Sequence, residues 1–170
     1  MDLRIVKTKR NIREAFLELR STNALEKIKV KRLCELALIN KTTFYKHYRD
    51  IFALSEEIED ETIASIMSSF EDLDTLFVDP DGFCKGLYYA FKADEGEILT
   101  LFSGRVNILV DKVARQLVEH YPSISGEPEK EIILSFLLWG ASHVLMESRY
   151  EETTMLDTLG KVAKPVVALF

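Results

Sequence analysis

The chain has 170 residues, of which 47% are hydrophobic, so it is long enough to build a core in one compact domain or in two small ones. Its net charge of −6 and its pI of about 5.2 argue, for the chain taken as a whole, against a nucleic-acid-binding protein.

The distribution of charge along the chain reverses that first conclusion. Residues 1–50 contain 13 Lys/Arg and six Asp/Glu, a net charge of +7, which leaves −13 for the other 120 residues. A basic head on an acidic body concentrates the attraction for DNA in one place and repels DNA elsewhere. The alternative is a charged helix that is merely solvated.

No targeting segment, membrane span or cofactor motif stands out. The first ten residues lack an apolar run, and the longest uncharged stretch, Ile132–Met146, is shorter than the roughly 20 residues that span a bilayer. Cys34 and Cys84 have no metal-binding spacing, and Cys34 is expected to be a small core residue. We expect a cytoplasmic protein without membrane contact, cofactor or metal.

The pattern of apolar residues, caps and breaks predicts an all-α chain, without strand-like alternation. Thr8, Asn40 and Asp50 are the expected N-caps of helices 1, 3 and 4. Five acidic residues from Glu56 to Glu61 are expected to cover the solvent side of helix 4. The predicted helices cover about residues 8–20, 30–37, 41–47, 50–70, 81–92, 95–102, 105–120, 128–150 and 154–169.

Residues 28–54 carry the strongest functional signal, because they predict a short helix, a tight turn and a second short helix. Helices of this length do not persist alone, so helix 1 must hold them through Phe16, Leu33 and Phe44. The second short helix then presents short polar, aromatic and basic side chains, which suit DNA phosphates and base edges. A three-helix core without a DNA role is the alternative.

At these residues the chain resembles the tetracycline-repressor-like (TetR) family of one-component regulators. The resemblance rests on the run Thr42-Thr-Phe-Tyr-Lys-His-Tyr48 with its flanks, and it covers about residues 5–60. It implies a helix-turn-helix DNA-binding domain, residues 1–50, joined by a long helix to a helical effector-binding and dimerisation domain, residues 51–170. Thr42 and Thr43 would lie closest to base edges, while Tyr45 and His47 would contact phosphates. The full expected DNA-binding set is Lys31, Lys41, Thr42, Thr43, Tyr45, Lys46, His47 and Arg49, and Lys7, Lys9 and Arg10 could add backbone contacts.

Three positions depart from the family pattern. Lys29 stands where a Thr or Ser usually caps helix 2, Leu38 stands where the turn usually has Gly, and Ile51 replaces a phosphate-binding lysine. These departures support an alternative function, a regulator-like subunit that acts by binding another protein.

The acidic body is dense in aromatic and large apolar residues, and the family resemblance implies a cavity for a small apolar or aromatic effector. An ordinary packed core is the alternative for each residue. Possible polar groups include Tyr89, Asn107 and the pair His143 and Glu147, which could also form half of a metal site or a simple hydrogen bond. The expected ligand-binding residues are Phe83, Leu87, Tyr88, Phe91, Phe102, Val106, Trp139, His143 and Met146.

The last two predicted helices, about 128–150 and 154–169, are expected to form a homodimer. Small residues at 140–142 allow close helix approach, and an exposed apolar stripe of this size needs a partner. A two-fold dimer would place two copies of helix 3 in successive major grooves of a palindromic operator in double-stranded DNA. No nucleophile motif, phosphate loop or metal cluster indicates an enzyme. The remaining apolar residues assigned to the dimer are Leu134, Leu137, Leu138, Leu145, Leu156, Leu159, Val162, Ala163, Val166 and Val167.

Overall fold

The computed structural model describes residues 3–68, 78–120, 124–146 and 149–168. All regular structure in these ranges is helical, which confirms the all-α prediction. A short 3-10 turn covers Leu25–Lys27. The nine α-helices of the described ranges are α1 Leu3–Arg20, α2 Val30–Leu36, α3 Lys41–His47, α4 Ile51–Ser68, α5 Pro80–Ala93, α6 Glu95–Phe102, α7 Val106–His120, α8 Pro128–Met146 and α9 Glu152–Val167.

The chain divides into two compact units. The first unit is Met1–Thr62 together with Gly96–Ser103, and the second is Ile63–Glu95 together with Gly104–Phe170. The first unit includes most of α4 and nearly all of α6. The predicted division into functional domains after residue 50 stays a prediction. None of the described helices is both long enough and apolar enough to cross a membrane.

The core of the first unit joins helices α1 to α4. Phe16, Leu33 and Phe44 are completely buried, as the sequence predicts for the residues that hold α2 and α3. Ile12 and Leu54 are also inaccessible to solvent. Because α2 and α3 have only seven residues each, this burial, rather than intrinsic helix propensity, fixes their positions.

Two of the three predicted caps are confirmed. The Asn40 side chain accepts a hydrogen bond from the Thr43 amide at 2.7 Å, and that of Asp50 accepts one from the Ala53 amide at 2.8 Å. The prediction for Thr8 is wrong, because α1 already begins at Leu3. Thr8 therefore lies inside the helix, where its hydroxyl donates to the Arg4 carbonyl at 2.8 Å.

Two arginines of α1 attach α6 to the rest of the first unit. Arg20 is buried, and its guanidinium donates to the carbonyls of Leu101 and Ser103 at 3.2 and 3.0 Å. Arg13 forms an ion pair with Glu97 of α6. These charge-assisted hydrogen bonds explain how a segment about 80 residues away joins this unit.

The acidic side of α4 differs from the prediction at one residue. Glu59 is not on the solvent side but is 2% exposed, and it accepts a hydrogen bond from the Ser55 hydroxyl at 2.6 Å. The apolar face of α4 is buried as predicted at Leu54 and Ile58. Residue 70, the predicted end of this helix, lies outside the described ranges.

The second unit is built around the contact of α5 with α9. The Tyr88 hydroxyl of α5 donates to the Glu152 carboxylate of α9 at 2.8 Å, and Tyr88 packs with Met155 and Leu156 in one buried cluster. Asp79 caps α5 by accepting from the Gly82 amide, which confirms the predicted helix start. Helix α8 packs against α7 and α9 and provides the buried side chains of Leu134 and Leu138.

Candidate functional site

Helix α3 presents most of the predicted DNA-binding side chains to solvent. Its buried residue Phe44 anchors the helix, and Thr42, Tyr45 and Lys46 are exposed on the other side. Thr43 and His47 are half-buried at the edges of this surface. The exposed face therefore combines a hydroxyl, a phenol and an ammonium group on a helix whose opposite face is fixed in the core.

Neighbouring side chains restrict the conformations of Thr43 and Tyr45. The Thr43 hydroxyl donates to the Asn40 side chain at 2.9 Å, the same oxygen that caps the helix. The ring of Tyr45 packs edge-on against Phe44, with the ring centroids 5.4 Å apart. Both side chains thus lose part of their rotational freedom before any partner binds, which lowers the entropic cost of binding.

Behind α3, an ion-pair network ties α1 to α4. The Tyr48 hydroxyl and the Lys9 ammonium both bind one oxygen of Glu57, at 2.8 and 2.9 Å. Burial, followed by the hydrogen bond to Glu57, raises the pKa of Tyr48 well above its usual range. Although burial raises the pKa of Glu57, the hydrogen bonds from Lys9 and Tyr48 outweigh it and lower that pKa. Lys9, one of the expected contacts to the DNA backbone, therefore already has an intramolecular partner in Glu57.

The four basic residues of the expected DNA-binding set are all exposed. Lys31 lies in the first turn of α2, Lys41 and Lys46 lie on α3, and Arg49 follows α3. The Arg49 guanidinium lies 3.0 Å from the Asp50 carboxylate, but its side chain remains 84% exposed. Exposed ion pairs of this kind are weak, so Arg49 can exchange this partner for a phosphate.

The three departures from the family pattern have clear structural consequences. Lys29 occupies the N-cap of α2 and makes no capping hydrogen bond with its side chain. Leu38 has a φ of 55°, so the turn does require the left-handed conformation, and its side chain is 87% exposed. Ile51 is buried.

The second unit contains an apolar cavity of about 560 Å³ between α5, α8 and α9. Of the nine predicted ligand-binding residues, Phe83 and Leu87 line it. Many of the other lining residues were predicted to form the dimer. The regular apolar spacing along α9 (Met155, Leu159 and Ala163) is the sequence signal that could have identified residues of this wall. The lining residues are Phe83, Cys84, Leu87, Leu134, Phe136, Leu137, Leu138, Gly140, Ala141, Val144, Tyr150, Thr154, Met155, Thr158, Leu159, Val162 and Ala163.

The other predicted ligand-binding residues are dispersed. Phe102 is completely buried in the first unit. Tyr88 is buried against α9, and Trp139 and His143 are exposed on α8. Phe91, Val106 and Met146 are half-buried and do not line the cavity. Glu147, the suggested partner of His143, lies outside the described ranges.

Of the ten apolar residues predicted to form the dimer, five are buried and Val162 is exposed. The other four are half-buried: Leu137, Leu145, Leu159 and Val166. Leu134, Leu138, Leu156, Ala163 and Val167 are buried within the chain's own second unit. Other apolar side chains of the same two helices remain on the surface of this unit. The exposed large residues are Ile132, Phe136, Trp139 and Val162, at 68%, 71%, 42% and 48% exposure.

Comparison with known proteins adds no relative to this description: no protein-family model matches the chain, and no curated protein matches it significantly.

Proposed function

We propose that this protein is a DNA-binding transcriptional regulator of the TetR type, a repressor that acts as a homodimer and responds to a small apolar or aromatic effector. The observation that carries the proposal is the exposed face of α3, where Thr42, Tyr45 and Lys46 project from a helix anchored by Phe44. A rigid helix with this side-chain chemistry suits the major groove.

The charge distribution supports the same function. The four Lys and Arg residues of the expected DNA-binding set are all exposed in or next to α2 and α3, while the rest of the chain is strongly acidic. Since DNA is a polyanion, this arrangement favours approach of the head alone. A two-fold dimer through α8 and α9 would present two copies of α3 to half-sites about one helical turn apart.

Fluorescence anisotropy with the DNA upstream of the protein's own gene, compared with scrambled DNA across a salt series, tests the proposal. We expect tight, sequence-dependent binding that weakens steeply with salt, because bound Lys and Arg release counterions from phosphates. If only the four exposed cations of the expected DNA-binding set contact phosphates, a dimer makes eight such contacts. The slope of log K against log salt is then no steeper than about −7. Equal, weak binding to both DNAs contradicts the proposal.

Substitution of Tyr45 tests the assignment of α3. We expect Tyr45→Ala to abolish specific binding and leave dimerisation intact, because the side chain is exposed and contributes to α3 alone. Tyr89→Ala is the matched control, since Tyr89 is also a helical tyrosine with 56% exposure but lies in the second unit. If Tyr45→Ala still recognises the operator, another surface reads the DNA.

A protein-interaction subunit is the second candidate function, and the left-handed Leu38 is the observation that favours it. A leucine at positive φ strains the turn between α2 and α3 and exposes apolar surface there, which suits a protein partner better than DNA. Two results together would support this alternative. The anisotropy of the DNA would not change when the protein is added, and the protein would bind a partner protein with an affinity that does not depend on salt.

A further inference from the structure

The cavity between α5, α8 and α9 has a buried floor and an exposed rim. Phe83, Leu134 and Met155 are buried at its floor, whereas Phe136 and Val162 in its lining are exposed. Its volume of about 560 Å³ lies within the roughly 300–1,000 Å³ typical of small-molecule sites. The cavity is therefore large enough for a ligand and open enough to admit one.

Direct contacts between α5 and α9 join two walls of the cavity. The Tyr88 hydroxyl donates to the Glu152 carboxylate at 2.8 Å, which joins the middle of α5 to the start of α9. Farther along α9, Gly160 lies so close to Asp81 that an added Cβ would be 2.0 Å from a carboxylate oxygen. These two contacts tie α5 to α9, which form two walls of the cavity.

The lining of the cavity selects against charged ligands. Among its described lining residues none is charged. The hydroxyls of Thr154 and Thr158 donate to the Glu151 carboxylate and the Thr154 carbonyl, so these donors are already used within α9. Burial raises the pKa of the Cys84 thiol to about 11, so this group is neutral near pH 7. A carboxylate or ammonium group would lose its hydration here without gaining a counter-charge.

The rim of the cavity coincides with the exposed apolar residues of α8 and α9. Phe136 and Val162 both line the cavity and contribute to the apolar surface that continues along α8 through Ile132 and Trp139. In the proposed function this surface forms the dimer. A ligand at the rim and a second copy of the chain would therefore contact the same two side chains, Phe136 and Val162.

We propose that the α5–α8–α9 cavity binds a neutral, apolar small molecule, and that its occupancy weakens self-association through α8 and α9. This inference rests on the proposed function, because it makes the effector a regulator of the dimer that presents two copies of α3. It assigns the effector to residues that the sequence pattern attributed largely to the dimer. Linkage requires the reverse effect as well, so dimerisation lowers the affinity for the ligand.

The probe for the test is N-phenyl-1-naphthylamine, a neutral aromatic amine whose fluorescence rises in apolar surroundings. Its anionic relative 1-anilinonaphthalene-8-sulfonate is the matched control ligand. With the full chain, we expect saturable binding of one neutral probe per chain and at least about tenfold weaker binding of the sulfonate. The neutral probe should also slow alkylation of Cys84, followed by peptide mass spectrometry, since this thiol lines the cavity.

Two variants locate the probe. Thr158→Phe places a large side chain at an exposed position of the lining, and it should reduce probe binding at least about tenfold. Thr153→Phe makes the same change on the same helix outside the lining and should leave probe binding unchanged. Circular dichroism confirms that both variants remain helical. Equal binding to both variants places the probe elsewhere and overturns the assignment.

Sedimentation velocity across protein concentrations, with and without saturating probe, tests the linkage. We expect the probe to raise the dimer dissociation constant by about tenfold, within the range typical of coupled sites. An unchanged or lower constant, or a chain that stays monomeric, overturns the proposal. If the linkage holds but operator DNA is not bound in the anisotropy experiment, the proposed DNA function fails while the ligand-controlled dimer stands.

Discussion

Leu38 shows how a single residue can disagree with the local structure it occupies. Its φ of 55° lies in the left-handed region, which costs a non-glycine residue roughly 1–2 kcal/mol, and its side chain is 87% exposed. Neither feature stabilises the turn between α2 and α3. A residue that is unfavourable in both respects is a candidate for contact with a binding partner, because it does not stabilise the folded chain.

Replacing Leu38 with glycine should therefore stabilise the protein. Relief of the backbone strain exceeds the entropy that glycine adds to the unfolded chain, so we expect the free energy of unfolding to rise by about 0.5–1 kcal/mol. Urea unfolding measures the change. Leu38→Ala is the matched control: it shortens the exposed side chain but keeps a Cβ, so it should give little or no gain. Equal gains in both variants would show that the exposed side chain, not the backbone, is the source of the cost.

At the scale of the helices, Gly160 sets the distance between α5 and α9. A Cβ built on Gly160 lies 2.0 Å from an Asp81 carboxylate oxygen and 3.3 Å from the Asp81 Cβ, so the two helices meet at this point. Gly96 on α6 is different, because an added Cβ there meets nothing within 4 Å. The two glycines therefore separate the effect of close packing from the effect of helix propensity.

We expect Gly160→Ala to destabilise the protein by roughly 1–2 kcal/mol, because the cost of overpacking exceeds the gain in helix propensity. Gly96→Ala should instead stabilise it by about 0.5–1 kcal/mol. Thermal and urea unfolding of both variants measure the difference. Stabilisation by Gly160→Ala would show that the Asp81 side chain can move aside, and that its contact with Gly160 does not limit the approach of α5 and α9.

Local sequence features predicted the helices well because their causes are local. Asn40 and Asp50 cap helices through hydrogen bonds to amides three residues away, and the apolar spacing that buries Phe44 repeats within a few residues. Arg20 and Glu59 could not be placed in this way. The burial of Arg20 depends on its contacts with Leu101 and Ser103, about 80 residues away. The burial of Glu59 depends on everything that packs against its face of α4, beyond its bond to Ser55. A short stretch of sequence does not contain this information.

The candidate sites divide along the same line. The exposed face of α3 follows from helical spacing around Phe44, so Thr42, Tyr45 and Lys46 could be identified from sequence. The cavity could not, because lining and core use the same residue types. Leu134 and Ala163, assigned to the dimer, are part of the cavity wall, and Phe102, assigned to a ligand, is part of the other unit's core.

At the scale of the whole molecule, the described part of each compact unit includes a buried tyrosine that is hydrogen-bonded to a glutamate. Tyr48 donates to Glu57 in the first unit, and Tyr88 donates to Glu152 in the second, both at 2.8 Å. Burial and then the hydrogen bond raise both pKa values, that of Tyr88 to about 12. Both units therefore depend on a phenol that stays protonated.

The protein should consequently lose stability in alkaline solution. A tyrosine ionises near pH 10 in the unfolded chain but at higher pH in the folded one, so the native state holds the proton more tightly. The stabilisation is complete below about pH 10 and is lost as the pH rises from there towards about 12 for Tyr88, and further for Tyr48. Urea unfolding at a series of alkaline pH values, with tyrosinate absorbance recorded in parallel, measures this loss. Tyr48→Phe and Tyr88→Phe should each be less stable at neutral pH yet lose less of their remaining stability above about pH 10, because each lacks one of the two titrating groups. Variants whose stability falls as steeply as that of the unmodified protein would show that other groups govern the alkaline transition.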